Sequence, residues 1–108
     1  MERVKKLSET IVNHSLQVKK GDKVLITYQS NECNYFIKTL IKEILVQGGI
    51  PTVKYLDPEF ENIIKENLND NIIENKKNIF KFEVEEYDCF IQIRYTTSDY
   101  YDKNVDRD

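Results

Sequence analysis

Apolar residues recur along this chain in two rhythms, and the alternation between them outlines an architecture. From Glu2 to Gln17, the positions Val4, Leu7, Ile11 and Val18 fall three, four and seven apart, the spacing of an amphipathic helix. Lys19 and Lys20 suit a helix C-terminus, and Gly21 is placed to end it. The rhythm then breaks at Val24-Leu25-Ile26-Thr27-Tyr28, a short run of strand formers with apolar side chains on both faces. A strand of that kind is buried on both sides, which predicts the centre of a mostly parallel sheet. Helical spacing returns with Cys33, Phe36, Ile37, Leu40, Ile41, Ile44 and Leu45. Ser30 or Asn31 is the expected N-cap, and Gly48-Gly49 the stop.

Pro51 opens the short strand Thr52–Leu56, tolerable where a first residue need not donate to the ladder. Asp57-Pro58-Glu59 predicts a helix start, with Asp as cap, Pro at the first position and Glu against the dipole. That helix runs to about Asn67 with Phe60, Ile63, Ile64 and Leu68 as its apolar side. Asn69-Asp70-Asn71 breaks it, and a further helix carries Ile73, Phe80, Val84 and Tyr87 on one side. A third strand begins at Asp88, with Cys89, Ile91 and Ile93 pointing one way and Phe90, Gln92 and Arg94 the other. Strands alternating with helices predict right-handed crossovers and an α/β three-layer sandwich around a small, mostly parallel sheet with its first strand central. Sheets usually hold about 4–6 strands, so three suggest an incomplete domain.

Length and composition narrow the classes. The 108 residues make one domain, 1–108, with 40% apolar and 32% charged residues, the balance of a globular chain. A net charge of −3 provides no strongly basic face, which argues against a nucleic-acid partner. No apolar stretch approaches the roughly 20 residues of a membrane span, and the charged N-terminus does not read as a signal peptide. Cys33 and Cys89, far apart in sequence, read as free, half-buried thiols of a cytoplasmic protein.

Several chemistries fail on residue type. A nucleotide turn needs glycines between strand and helix so that amides can approach phosphate, and Gln29-Ser30-Asn31-Glu32 contains none. A receiver-type site needs carboxylates at strand ends, where Asp57 stands alone and suits a helix cap better. His14 is the single histidine, and its neighbour Ser15 points to another side of the helix, so no triad forms. The 19 Asp and Glu residues, interleaved with lysines, read as solvated helix faces. These readings predict no catalytic and no metal-ligating residue in the chain. What remains is the rule that ligands of open α/β sheets bind at strand carboxyl ends where the strand order reverses. Gln29, Ser30, Asn31 and Glu32, facing Arg94, Tyr95, Thr96 and Thr97, would line that crevice. Tyr100 and Tyr101 join Tyr95 in an aromatic group suited to being covered by more protein.

The segments "IVNHSLQVKKGDKVLI", "VQGGIPTVKYLDPE" and "EYDCFIQIRY" together resemble the N-terminal domain of the thermophilic-type leucyl aminopeptidase family. Asn13, Ser15, Leu16, Val18, Gly21, Asp22, Val24, Gly49, Pro51 and Arg94 match that pattern in type and order. His14 departs from it, standing where an aromatic residue is common, and Arg107 replaces the proline of a Val-Asp-Pro segment. The resemblance spans nearly the whole chain and rests on the order of soft turn and strand motifs. It implies a metallo-exopeptidase that removes N-terminal residues from peptides with two divalent ions (zinc, cobalt or magnesium). The ions and the catalytic residues would lie in a C-terminal catalytic domain not contained in this sequence. The chain would then be an inactive N-terminal piece with that domain as its partner in cis, in a homodimer. The charged finish at "YYDKNVDRD", without a closing element, agrees with that expectation. The alternative left open is a self-contained small α/β module that binds a ligand or associates with itself.

Overall fold

A computed structural model describes residues 2–94. Helix α1 spans Glu2–Thr10 and continues as a π-helical turn, Ile11–Ser15. Strand β1 is Lys23–Tyr28, and a short 3₁₀ turn, Asn31–Cys33, leads into α2, Asn34–Val46. Strand β2 (Ile50–Tyr55), α3 (Pro58–Glu66), α4 (Asp70–Glu86) and β3 (Cys89–Ile93) follow. The three strands form one all-parallel sheet in the order β2-β1-β3. The predicted α/β fold with a central first strand is therefore the observed one.

The strand order explains the layers. The chain moves from β1 to β2 in one direction and then returns past β1 to reach β3. Crossovers of a single hand must then place α2 on one face of the sheet and α3–α4 on the other. On the first face, Val24 and Ile26 pack with Val12, Ile37, Leu40 and Ile44, all buried, and Cys89, Ile91 and Ile93 close the side. Leu25 points to the opposite face and is also buried, so β1 is covered on both sides.

The first helix differs from its expected form. It is α-helical only to Thr10, and the Leu16 N–H bonds to the Ile11 carbonyl at 2.9 Å in the wider π spacing. The buried face runs through Ser8 and Val12, so Leu7 is 49% exposed while Ser8 is 1% exposed. Ser8 tolerates burial because its hydroxyl bonds to Thr39 Oγ1, which itself donates to the Phe36 carbonyl at 2.7 Å. Gly21 does not end this helix. Gln17 does, at φ 54°, and Gly21 (φ 88°) instead forms the turn before β1.

That turn is joined to the turn after α2. Gly21 N–H donates to the Gly48 carbonyl at 2.8 Å, and Ile50 N–H to the Asp22 carbonyl at 2.7 Å. The Asp22 carboxylate accepts from Lys19 N–H at 2.9 Å. Gly48 carries the positive φ of 86° that reverses the chain, and Gly49 has a different duty. A Cβ on Gly49 would come within 2.8 Å of both Ile44 Cγ2 and Val18 Cγ1, so a bare backbone lets α2 meet β2 there.

The second layer is lightly packed. Asp57 caps α3 through Glu59 N–H at 2.8 Å with Pro58 at the first helical position, and Asn69 caps α4 through Ile72 N–H at 2.9 Å. Yet neither helix buries a residue, and the apolar positions Phe60, Ile63, Ile64, Leu68, Ile73, Phe80 and Val84 are all exposed. Two ion pairs at one end hold α4 in place: Lys54 with Glu83, and Lys23 with Glu86 at 2.7 Å. β3 begins at Cys89 rather than Asp88, whose carboxylate accepts from Lys23 N–H at 2.8 Å.

Candidate functional site

Of the strand-end crevice expected from sequence, the structure describes Gln29, Ser30, Asn31, Glu32 and Arg94. Ser30, extended at φ −147° and ψ 136°, accepts from Glu32 N–H at 3.1 Å through its hydroxyl, and its carbonyl receives Cys33 N–H at 3.1 Å. Its polar atoms are thus engaged in starting the helix. Asn31 and Glu32 are exposed, Gln29 is half-buried, and Arg94 is exposed just beyond β3. Tyr95, Thr96, Thr97, Tyr100 and Tyr101 lie outside the described residues. Asp57, the one strand-end carboxylate, is occupied as the cap of α3. Beside this end the rings of Tyr28 and Tyr55 meet at a centroid distance of 5.1 Å and close the rim between β1 and β2.

A concavity that the sequence does not anticipate lies on the α4 face of the sheet. In the parallel register Thr27 aligns with Lys54 on one side and Gln92 on the other. Side chains at register partners share a face, so these three form a polar row across the sheet. Leu25 and Phe90 make an apolar row next to it, and Phe80, Glu83 and Val84 of α4 form the roof. The space between floor and roof is about 390 Å³, within the range of small-ligand pockets. Its lining is mostly apolar, and the Lys54–Glu83 ion pair joins floor to roof. Gln29 and Arg94 follow Thr27 and Gln92 by two positions, so the expected crevice adjoins this cavity at the strand carboxyl ends. The sequence signal that could have pointed here is the excess of apolar residues on α4, whose Ile79, Phe80 and Phe82 occupy too many sides of one helix for a single buried stripe.

The titratable groups show no catalytic arrangement among the described residues. Lys23 is held above the usual lysine range by its hydrogen bond to Glu86 and then by the charge of that carboxylate. Burial pushes the Cys33 thiol up, with Glu32 adding to it, and lifts Cys89 likewise, aided by Asp22 and Asp88. Both thiols are free, and Cys33 is buried rather than half-buried. No three His, Cys, Asp or Glu side chains among the described residues come together to hold a metal ion. The donor set here does not fit the two divalent ions that the resemblance implies.

The remaining polar constellation is structural. Asn13 Nδ2 donates to Glu43 Oε2 at 3.0 Å and Gln47 Nε2 to the same oxygen at 3.3 Å, tying the π turn to α2. Asn13 Oδ1 is buried with no partner among the described residues. His14, beside it, is exposed. Among the described residues no helix is long and apolar enough to cross a membrane. Comparison with known proteins finds no family model that matches the chain and no curated protein that matches it.

Proposed function

We propose that this chain is the non-catalytic N-terminal α/β domain of a cytoplasmic, metal-dependent aminopeptidase that hydrolyses N-terminal residues from peptides. One observation carries the reading: residues of the resemblance that lie far apart in sequence meet at the amino end of the sheet and hold it together. Gly21 and Asp22 bond to Gly48 and Ile50, and Val18 lies against Gly49. Asp88, in the third motif, bonds to Lys23 through both side chain and backbone. A shared set of residues with purely architectural duties is what a family scaffold requires, and it asks no catalytic residue of this chain. The domain's role would be to pack on the catalytic domain, shape access to its active site and support dimerisation. The two divalent ions would be bound by residues of that other domain.

Two measurements test this. The coding sequence beyond Asp108 should encode a domain with clustered His, Glu and Asp residues, and a stop codon directly after Asp108 removes the proposal. The chain alone should leave an aminoacyl chromogenic substrate intact with cobalt or zinc present, and genuine turnover would overturn the assignment.

A second reading, a self-contained small ligand-binding module, is favoured by the cavity beneath α4. It predicts saturable amide shifts at Leu25, Thr27 and Gln92 when a small amphiphile such as 3-phenylpropan-1-ol is titrated into the labelled chain. No saturation would remove that reading.

A further inference from the structure

The cavity between the sheet and α4 is apolar except along one line. Leu25 and Phe90 on the floor and Phe80 and Val84 on the roof supply its apolar walls. Leu25 is buried, whereas Phe80, Val84 and Phe90 line the space yet remain exposed to solvent. Across the floor run Lys54, Thr27 and Gln92, register partners on adjacent strands. Neighbouring strands lie about 4.8 Å apart, which brings an ammonium, a hydroxyl and a carboxamide into one row of hydrogen-bond donors. Among the described residues that line the cavity only Lys54 and Glu83 are charged, and they pair with each other.

Resting on the reading of this chain as a small-ligand module, we propose that the cavity takes an apolar monocarboxylate, an ionised aryl- or alkyl-alkanoic acid. Its carboxylate replaces that of Glu83 at Lys54. Glu83 marks where an anion rests on the donor row, since its carboxylate accepts from the Lys54 ammonium. That pair is partly exposed and therefore weak, so exchanging one carboxylate for another costs little. The gain comes from the apolar body, which leaves water and covers Phe80, Val84 and Phe90 as it does so. α4 stays anchored meanwhile, because the Lys23–Glu86 pair stands outside the cavity lining. Charge selects the head group. A carboxylate accepts from Lys54 with Thr27 and Gln92 next in the row, whereas an ammonium has Glu83 alone, the one polar side chain of the roof. A neutral alcohol leaves the Lys54–Glu83 pair in place and gains only from apolar burial.

Titration of the isotope-labelled 108-residue chain with 3-phenylpropanoate and with 3-phenylpropan-1-ol tests this, because the two share an apolar body and differ in head group. Amides of Leu25, Thr27 and Gln92 should saturate with both, and the carboxylate should bind at least about threefold tighter. Lys54→Met should lower the carboxylate to the affinity of the alcohol and leave the alcohol unchanged. Glu83→Gln takes away the internal competitor while keeping a group that accepts from Lys54, and should tighten the carboxylate at least about twofold. If Lys54→Met fails to fold, Glu83→Gln decides alone. Equal binding of the two compounds, or a carboxylate affinity unmoved by Glu83→Gln, overturns the proposal while the ligand-binding reading stands. A loss in Lys81→Met, outside the cavity lining, equal to that in Lys54→Met also overturns it, as unspecific charge attraction. Saturation by neither compound removes proposal and reading together.

Discussion

Gly21 donates its backbone N–H to the carbonyl of Gly48 at 2.8 Å, joining the turn that enters β1 to the turn that leaves α2. Three glycines meet at this corner, and they have separable roles. Gly21 (φ 88°) has open space where a Cβ would go, whereas Gly49 would push a Cβ against Val18 and Ile44 at 2.8 Å. Gly21→Ala should therefore cost only backbone strain, about 1–2 kcal/mol. Gly49→Ala should cost about 1–3 kcal/mol by overpacking. Urea unfolding separates them when Gly49→Ala is combined with Val18→Ala, which removes the crowded Cγ1 methyl. Relief of part of the loss supports crowding, and no relief argues against it.

The rotated face of α1 makes a prediction opposite to its sequence pattern. Leu7→Ala should change stability by no more than about 0.5 kcal/mol, as an exposed position does. Ser8→Ala removes a buried hydrogen bond and should cost about 0.5–1.5 kcal/mol, and Ser8→Leu should cost more by overpacking. Thermal unfolding of the three variants checks the order, and a larger loss at Leu7 than at Ser8 would reverse the assignment of the face.

Ion pairs rather than apolar burial hold α4, so its docking should be weak and sensitive to salt. Both the Lys54–Glu83 and the Lys23–Glu86 pairs are partly exposed, so solvent and salt screen them and each contributes little. Amides of α3 and α4 should exchange with solvent well before those of β1 and α2, and molar salt should widen the difference. Protection of α4 equal to that of β1 would contradict this.

The cysteines set a pH dependence. Burial lifts the folded thiols of Cys33 and Cys89 above their ordinary pKa. Below the ordinary value, about 8.5, both thiols stay protonated folded or unfolded and stability does not depend on them. As pH rises past it, the unfolded chain loses these protons first, and stability falls until the folded thiols ionise too. Cys33→Ala and Cys89→Ala should each flatten the decline on the alkaline side. Labelling by a thiol reagent near neutral pH should be slow for Cys33, and fast labelling would show that its site opens readily.

Local chemistry specified much of this fold. Val24 to Tyr28, apolar on both faces, could only be a central strand, and Asp57-Pro58 could only open a helix, because those preferences act within a few residues. The stop at Gly48 was readable for the same reason. Packing between distant segments decided the rest. Leu7 was replaced by Ser8 on the buried face because Thr39, 31 residues away, supplies the partner a buried hydroxyl needs. The N-cap at Ser30 was readable because it acts within two residues. The cavity depends instead on α4, tied to β2 by Lys54–Glu83 and to β1 by Lys23–Glu86, lying over the sheet with Phe80 and Val84 as its roof. A sequence determines where chain direction and periodicity change, since those depend on neighbours along the chain. Which face is filled, which edge stays open and where a cavity remains depend on side chains that meet only after the strands have paired.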